Sequence, residues 1–369
     1  MNSSHRTLKS FPFDLLTLLL PNPTQTLFLR VCLLSGDSAR EAWRAWRARI
    51  GDAREFFVRD TTGMKRLLPL LACNLRANNI PVEFDWLKAA ALREELRAAT
   101  FWRTSARVFT ALDEDNIPFI VGKGASVDAL AYPQRGLRHS HDLDLIVQDI
   151  ESAAHTLARA GIKRVNAFQF RDESDLLISL HVQLFELPFY NPPDWNVWER
   201  TRTEMIYNVR VRGLTPEDRL AQILGHASYG SGRASAQWVC DAWFVLKRGR
   251  IDWNAFIERI RVCRLSLPSA ALLNYLMKEL GAEIPSEAIE GLNELAIQSD
   301  SLACGVALHG VRAGPRGSRR AMWKCARGVQ SRLRLMRWMV LPPPQSLIAT
   351  NRLAGTKELR RFYFDRFRK

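Results

Sequence analysis

"FIVGKGASVDALAYPQRGLRHSHDLDLIV" runs from Phe119 to Val147. It opens with a short apolar run, turns on Gly-Lys-Gly, passes through a helical stretch and ends in an apolar run that begins Asp-Leu-Asp. On a strand, side chains alternate faces. Asp142 and Asp144 therefore share one face, and Leu143, Leu145 and Val147 take the other, towards a core. Two carboxylates so close repel each other unless a cation lies between them. A hard divalent ion such as magnesium accepts one or two carboxylates and completes its shell with phosphate oxygens and water. Upstream, Gly122 and Gly124 permit close approach of backbone N–H groups to an anion. A new helix N-terminus favours negative charge there, and Lys123 adds a positive one. The GxxxxGK[ST] spacing of a Walker A loop is absent. A phosphate-and-metal site suits this order better than an idle, solvated pair of aspartates.

Outward from this stretch the chain divides into four. Residues 1–114 read as helical. "SAREAWRAWRARI" has Ser38 as a cap and Trp43, Trp46 and Ile50 at helical spacing. A long helix follows from about Phe84 to Glu114, with Leu92, Leu96, Phe101, Val108 and Leu112 suited to a packed face. Its tryptophan-arginine interleaving fits a core stripe beside a solvated face better than nucleic-acid stacking. Residues 115–190 read as a small mixed α/β unit, with further strands in "KRVNAFQF" and "DLLISLHVQLFEL". Residues 191–300 read as helices again, opening at Thr215 and Pro216. Residues 301–369 form a basic, amphipathic tail. The expected fold class is α+β, a small mixed-sheet core flanked by helical regions. No internal repeat of fixed period is present.

The quoted stretch resembles the uncharacterised nucleotidyltransferase family of the polymerase-beta-like superfamily. The resemblance lies in a strand, a KGA-type turn, a helix ending in Tyr-Pro, an arginine and an Asp-x-Asp strand. It continues more weakly through "LISLHVQL", "LTPEDRLAQILGHASYG", "QWVCDAWFVLKRGRIDW" and "LGAEIP", so that residues 100–285 are covered. It implies a nucleotidyltransferase core in which Asp142 and Asp144 ligate magnesium. Gly122, Lys123, Gly124 and Ser126 would face the phosphates of a nucleoside triphosphate such as ATP. Arg138 would neutralise phosphate charge or brace the aspartates. The reaction implied is attack by an acceptor hydroxyl on the α-phosphorus.

One position departs from the family pattern. A third carboxylate commonly stands two residues before the strand histidine. That histidine is His181 here, and Ser179 occupies the place. Asp175 lies four residues from Ser179, about 13 Å along a strand. His181 is then an unusual third ligand or a base near the acceptor. Transfer is expected to be impaired, and a catalytically inactive binding protein on the same fold is the alternative. A zinc reading of His139 and His141 lacks further clustered ligands. His226 and Asp241 read as helix packing and surface. No nucleophile elbow or Ser-His-Asp order occurs.

The net charge of +15 is concentrated at one end. From Ser301 onward there are sixteen lysines and arginines against Glu358 and Asp365, whereas the first 300 residues hold 37 bases and 36 acids. The body is thus nearly neutral, which argues against the whole chain being a nucleic-acid binder. The tail has Met322, Val329, Leu333, Met336 and Val340 among arginines, a pattern suited to an anionic membrane surface, a nucleic acid or an acidic protein. An adaptor acting through residues 310–369 is a third reading. The six cysteines show no CxxC and no metal spacing, in keeping with a reduced interior. Pro12 and Asp14 interrupt the leucine-rich start, and no apolar run reaches spanning length. The expectation is a cytoplasmic protein, peripheral to a membrane at most.

Overall fold

The computed structural model describes residues 20–298 apart from 61–62, 82–83, 186–189, 193–194 and 230–235, together with Val329, Arg332, Leu333, Met336 and Arg337. The remaining stretches of the N-terminal region and the basic tail lie outside the described residues.

Among the described residues the N-terminal helices are α1 (Pro23–Leu33), α2 (Gly36–Ile50), α3 (Ala53–Arg59), α4 (Leu68–Ala77) and α5 (Asp85–Glu114). Helix α1 starts on a capping box, with Asn22 and Gln25 each accepting the other's backbone N–H. Helix α2 begins at Gly36, before Ser38, with Ser35 at the cap position. Its Trp46 is fully buried against Phe28 and Phe57. The tryptophans of this region are therefore core, as their spacing suggests.

Seven strands make one mixed sheet in the order β3-β4-β5-β2-β1-β7-β6. They are β1 (Phe119–Val121), β2 (Asp142–Val147), β3 (Lys163–Arg164), β4 (Gln169–Arg171), β5 (Leu177–His181), β6 (Arg202–Ile206) and β7 (Val209–Gly213). Helix α6 (Lys123–Leu130) links β1 to β2, and α7 (Ile150–Arg159) follows β2. Strand β1 is antiparallel to β2 and parallel to β7, and β2 runs parallel to β5. The β6–β7 hairpin is absent from the all-helical reading of 191–300. Its turn residues Tyr207 and Asn208 both have positive φ, 49° and 66°. That is the backbone a tight two-residue hairpin needs.

The period of two sorts the sheet's faces. Leu143, Leu145 and Val147 join Phe101, Val108, Phe109 and Leu112 of α5 and Leu157 of α7 in one core. Ile146, on the aspartate side, belongs to a second core with α8 (Pro216–Tyr229), α9 (Gln237–Arg248), α10 (Trp253–Val262), α11 (Ser266–Leu280) and α12 (Ser286–Gln298). Two of the expected packing residues of α5 face outward instead: Leu92 and Leu96 are 57% and 63% exposed. The sheet's core meets the helix from Ala98 onward, so the first turns of α5 overhang it.

Candidate active site

Asp142 and Asp144 lie at the start of β2, on the face turned towards α8. Asp144 is almost wholly buried, and Asp142 is partly open. Two basic side chains grip Asp144 Oδ1: His181 donates from Nε2 at 2.7 Å, and Lys123 Nζ lies 3.4 Å away. Burial alone would push the Asp144 carboxyl up. Lys123, the His181 hydrogen bond and the charge of His226 more than offset it and hold the group well below the usual carboxylate range. Asp142 moves the other way, raised by burial and then by the charge of Asp144, with His141 3.7 Å off. The pair thus has unequal members, one kept ionised by neighbours and one short of positive charge.

The turn before α6 is set by its neighbours. Gly122 donates its N–H to the Asp144 carbonyl at 3.1 Å, extending the β1–β2 ladder. Lys123 has φ of 40°, a conformation that L residues adopt at a cost and that clusters at functional sites. Its N–H donates to Gln222 Oε1 at 2.7 Å, and Gln222 Nε2 donates to the Leu184 carbonyl at 3.2 Å. Gln222 is buried. It ties the strained turn to the chain just beyond β5. Gln222 and His226 are four residues apart on α8, hence on one helix face. That spacing was the available sign that α8 floors the site.

Three residues expected at the phosphates have partners within the protein. Ser126 is fully buried and accepts from Arg219 Nε at 3.0 Å. Arg138 grips Asp241 through Nε and Nη2, both at 2.9 Å, and Nη1 serves the His139 carbonyl and Ser140 Oγ. It braces the loop before β2 against α9, and its charge also reaches Asp142. Gly124 is small for this same arginine: a Cβ there would overlap Arg138 Nη1 and lie 2.9 Å from Cζ. Asp241, read as surface, is 6% exposed and also accepts from the Tyr132 hydroxyl at 2.8 Å.

The place of a third carboxylate is visible in the register. Ser179 pairs directly beside Asp144 across the parallel β2–β5 ladder and is buried. Asp175 precedes β5, has φ of 67° and is bound by Arg171 at 2.5 Å. Strand β5 stops at His181. His139 is held by Glu94 Oε2 at 3.0 Å and stacks on His141. Among the described residues no three His, Cys, Asp or Glu side chains converge as a metal cage.

The sequence profile of the uncharacterised nucleotidyltransferases matches residues 60–280. The chain belongs to this nucleotidyltransferase family. The match spans α4 to α11, so the sheet, its hairpin and the helical floor all fall within it. A search of curated proteins finds no match. Among solved structures, an antigenic nucleotidyltransferase-like protein from Paracoccidioides brasiliensis aligns at 17% identity over 53% of this chain and 95% of its own, with a TM-score of 0.34.

Within the nucleotidyltransferase core, Asp128 is a buried acid outside the aspartate pair. Trp102 Nε1 donates to its Oδ2 at 3.1 Å. Burial pushes its carboxyl up to about 6. A folded-state value above the unfolded one means that stability is fully present below the ordinary carboxylate range and is lost as pH rises through about 6. Asp128→Asn keeps an acceptor for Trp102 and removes the charge. It is expected to stabilise the fold by about 2 kcal/mol at neutral pH and by nothing near pH 4. Thermal melts at the two pH values check this; equal shifts would contradict it.

Proposed function

We propose that this chain is a magnesium-dependent nucleotidyltransferase that moves a nucleotidyl group from a nucleoside triphosphate to an acceptor hydroxyl. The observation that carries the proposal is the Asp142/Asp144 pair on one strand face, with Lys123 and His181 at its inner member. The donor set fits magnesium: two carboxylates, one of them short of positive charge, and among the described residues no cage of three or more protein ligands, leaving room for phosphate oxygens and water. When bound, the ion would screen the phosphates and stabilise the leaving pyrophosphate.

The chain's own residues do the rest. Asp142 and Asp144 hold the ion. The Lys123 ammonium, on a turn fixed by Gln222, is a point charge for a phosphate oxygen. His181 is oriented by Asp144 in the way a carboxylate orients a general base, and it takes the proton of the acceptor hydroxyl. Magnesium-dependent pyrophosphate release over a panel of hydroxyl acceptors tests the proposal.

Ser179 supports a second reading, an inactive binder. A serine beside Asp144 supplies neither the third ligand nor the stronger base that a carboxylate would. Ser179→Asp separates the two readings. If the carboxylate is what the site lacks, the substitution raises turnover by about tenfold or more. A native protein that already turns over and gains nothing from Ser179→Asp excludes the inactive reading.

A further inference from the structure

Two basic side chains stand beside Asp142 and take no part in the transfer chemistry above. His141 is the first. Its ring is half exposed, lies 3.7 Å from Asp142 and stacks on His139 with the ring centroids 5.6 Å apart. His139 is itself fixed: Glu94 holds its Nδ1, and its carbonyl accepts from Gln237 Nε2 at 2.8 Å and from Arg138 Nη1 at 3.2 Å. The His141 imidazole is thus backed by a fixed ring at the mouth of the site. Arg66 is the second. It lies on a single 3-10 turn, Met64–Leu67, that packs against α9. The same helix holds the loop of His139 and His141 through Gln237 and Asp241. Its wall brings the turn and the loop together, and the charge of Arg66 reaches His141. The Arg66 guanidinium belongs to a half-buried residue, and among the described residues it meets no carboxylate, no hydrogen-bond acceptor and no aromatic ring. A cation drawn partly out of water with no counter-charge weakens the fold unless an anion from outside completes it.

We propose that Arg66 and His141 form an anion subsite on the Asp142 flank of the aspartate pair, and that it receives a phosphate group carried by the acceptor. The assignment to the acceptor rests on the transferase reading. The basic groups divide between the two carboxylates. Lys123 and His181 contact Asp144, the buried member, whereas His141 contacts Asp142, the more open one. Donor phosphates fall to the first flank, and the second faces a molecule arriving from solvent. The planar fork of a guanidinium matches two phosphate oxygens, and an imidazole N–H adds a third donor. The acceptor class that fits is a phosphorylated sugar or polyol with a free hydroxyl.

The test is calorimetric titration of the full chain with glycerol 3-phosphate, and with glycerol as the uncharged control. The phosphorylated compound is expected to bind and glycerol not. Arg66→Gln should lower that affinity about tenfold or more, and Arg66→Lys, which keeps the charge without the fork, should lose less. The melting temperature of Arg66→Gln should not fall, whereas an arginine with a merely structural role would lower it. Magnesium-dependent binding of a non-hydrolysable triphosphate should keep its affinity in Arg66→Gln. In turnover, the same variant should raise KM for phosphorylated acceptors and leave kcat nearly unchanged. A native protein that binds glycerol 3-phosphate no better than glycerol would overturn the proposal, as would an Arg66→Gln variant that binds it like the parent. Loss of the triphosphate instead would make Arg66 a donor contact and overturn it equally. Failure of the transferase reading looks different: phosphate binding that depends on Arg66, with no pyrophosphate released, sustains the anion subsite and removes only the reaction.

Discussion

Alanine at both 142 and 144 is expected to weaken magnesium-dependent triphosphate binding strongly and to lower turnover on the order of a thousandfold or more. In calorimetry the loss of affinity should reach about a hundredfold, or about 3 kcal/mol. The two single substitutions should not add up to the double, because both carboxylates would serve one ion. They should differ without ligand. Asp142 carries a charge that burial and Asp144 disfavour, so Asp142→Asn should leave the unliganded fold as stable or slightly more so. Asp144→Asn removes the carboxylate that His181 and Lys123 both contact, and should destabilise it. The pH dependence follows with opposite signs. Asp144, held below the unfolded value, contributes stability above the ordinary carboxylate range that is lost as pH falls through it. Asp142, held above the unfolded value, disfavours the fold as pH rises through its raised pKa. Metal affinity should therefore weaken on acidification sooner than ordinary carboxylates would allow, since Asp142 must lose its proton to bind. Triphosphate binding unchanged in the double alanine variant would remove the site from this face of the sheet.

The second large effect concerns Arg138. Its bidentate pair with Asp241 is buried on both sides, with the side chains 12% and 8% exposed. Asp241→Ala leaves a guanidinium uncompensated in the interior, which costs about 3–5 kcal/mol. For a chain of this size the melting temperature should drop by roughly 10 °C. Arg138→Met with Asp241→Leu, which removes both charges and keeps volume, should recover most of that loss. Arg138→Ala decides the role of the arginine. A brace gives a lower melting temperature in Arg138→Ala. A phosphate contact, as the family resemblance implies, gives weaker triphosphate binding at unchanged stability.

Much of this architecture is legible in the residues, and the failures have physical causes. The alternation in Asp142–Val147 orders the two faces of β2, because Leu143, Leu145 and Val147 enter one core while both carboxylates take the other face, and a one-residue slip would turn the carboxylates into that core. His181 stands 2.7 Å from Asp144, a neighbour that the family resemblance suggests and the alternation alone does not. Gly124 is ambiguous in the sequence because two demands select glycine equally well: an approaching phosphate and an approaching guanidinium both forbid a Cβ, and here the guanidinium of Arg138 stands against it. Ser126 and Arg138 have polar side chains whose partners, Arg219 and Asp241, lie far along the chain in α8 and α9. Local spacing carries no sign of them. The β6–β7 hairpin is missed although Val209 and Val211 alternate with Arg210 and Arg212. So charged a pair of strands lies at the sheet's edge, where one row of side chains meets water. Leu92 and Leu96 fit the helical period of α5, yet periodicity does not say how far along a thirty-residue helix the core extends.

Helix α8 bears on where the working unit ends. Gln222 fixes the amide of Lys123, Arg219 anchors Ser126, and the charge of His226 reaches Asp144. A fragment stopped before Pro216 would retain the whole Gly-Lys-Gly to Asp-Leu-Asp stretch and His181, yet it would lose all three supports. The smallest piece able to keep the turn in its shape is therefore discontinuous with the motif by some seventy residues of chain, and any dissection of this protein into independent modules has to cut after Tyr229.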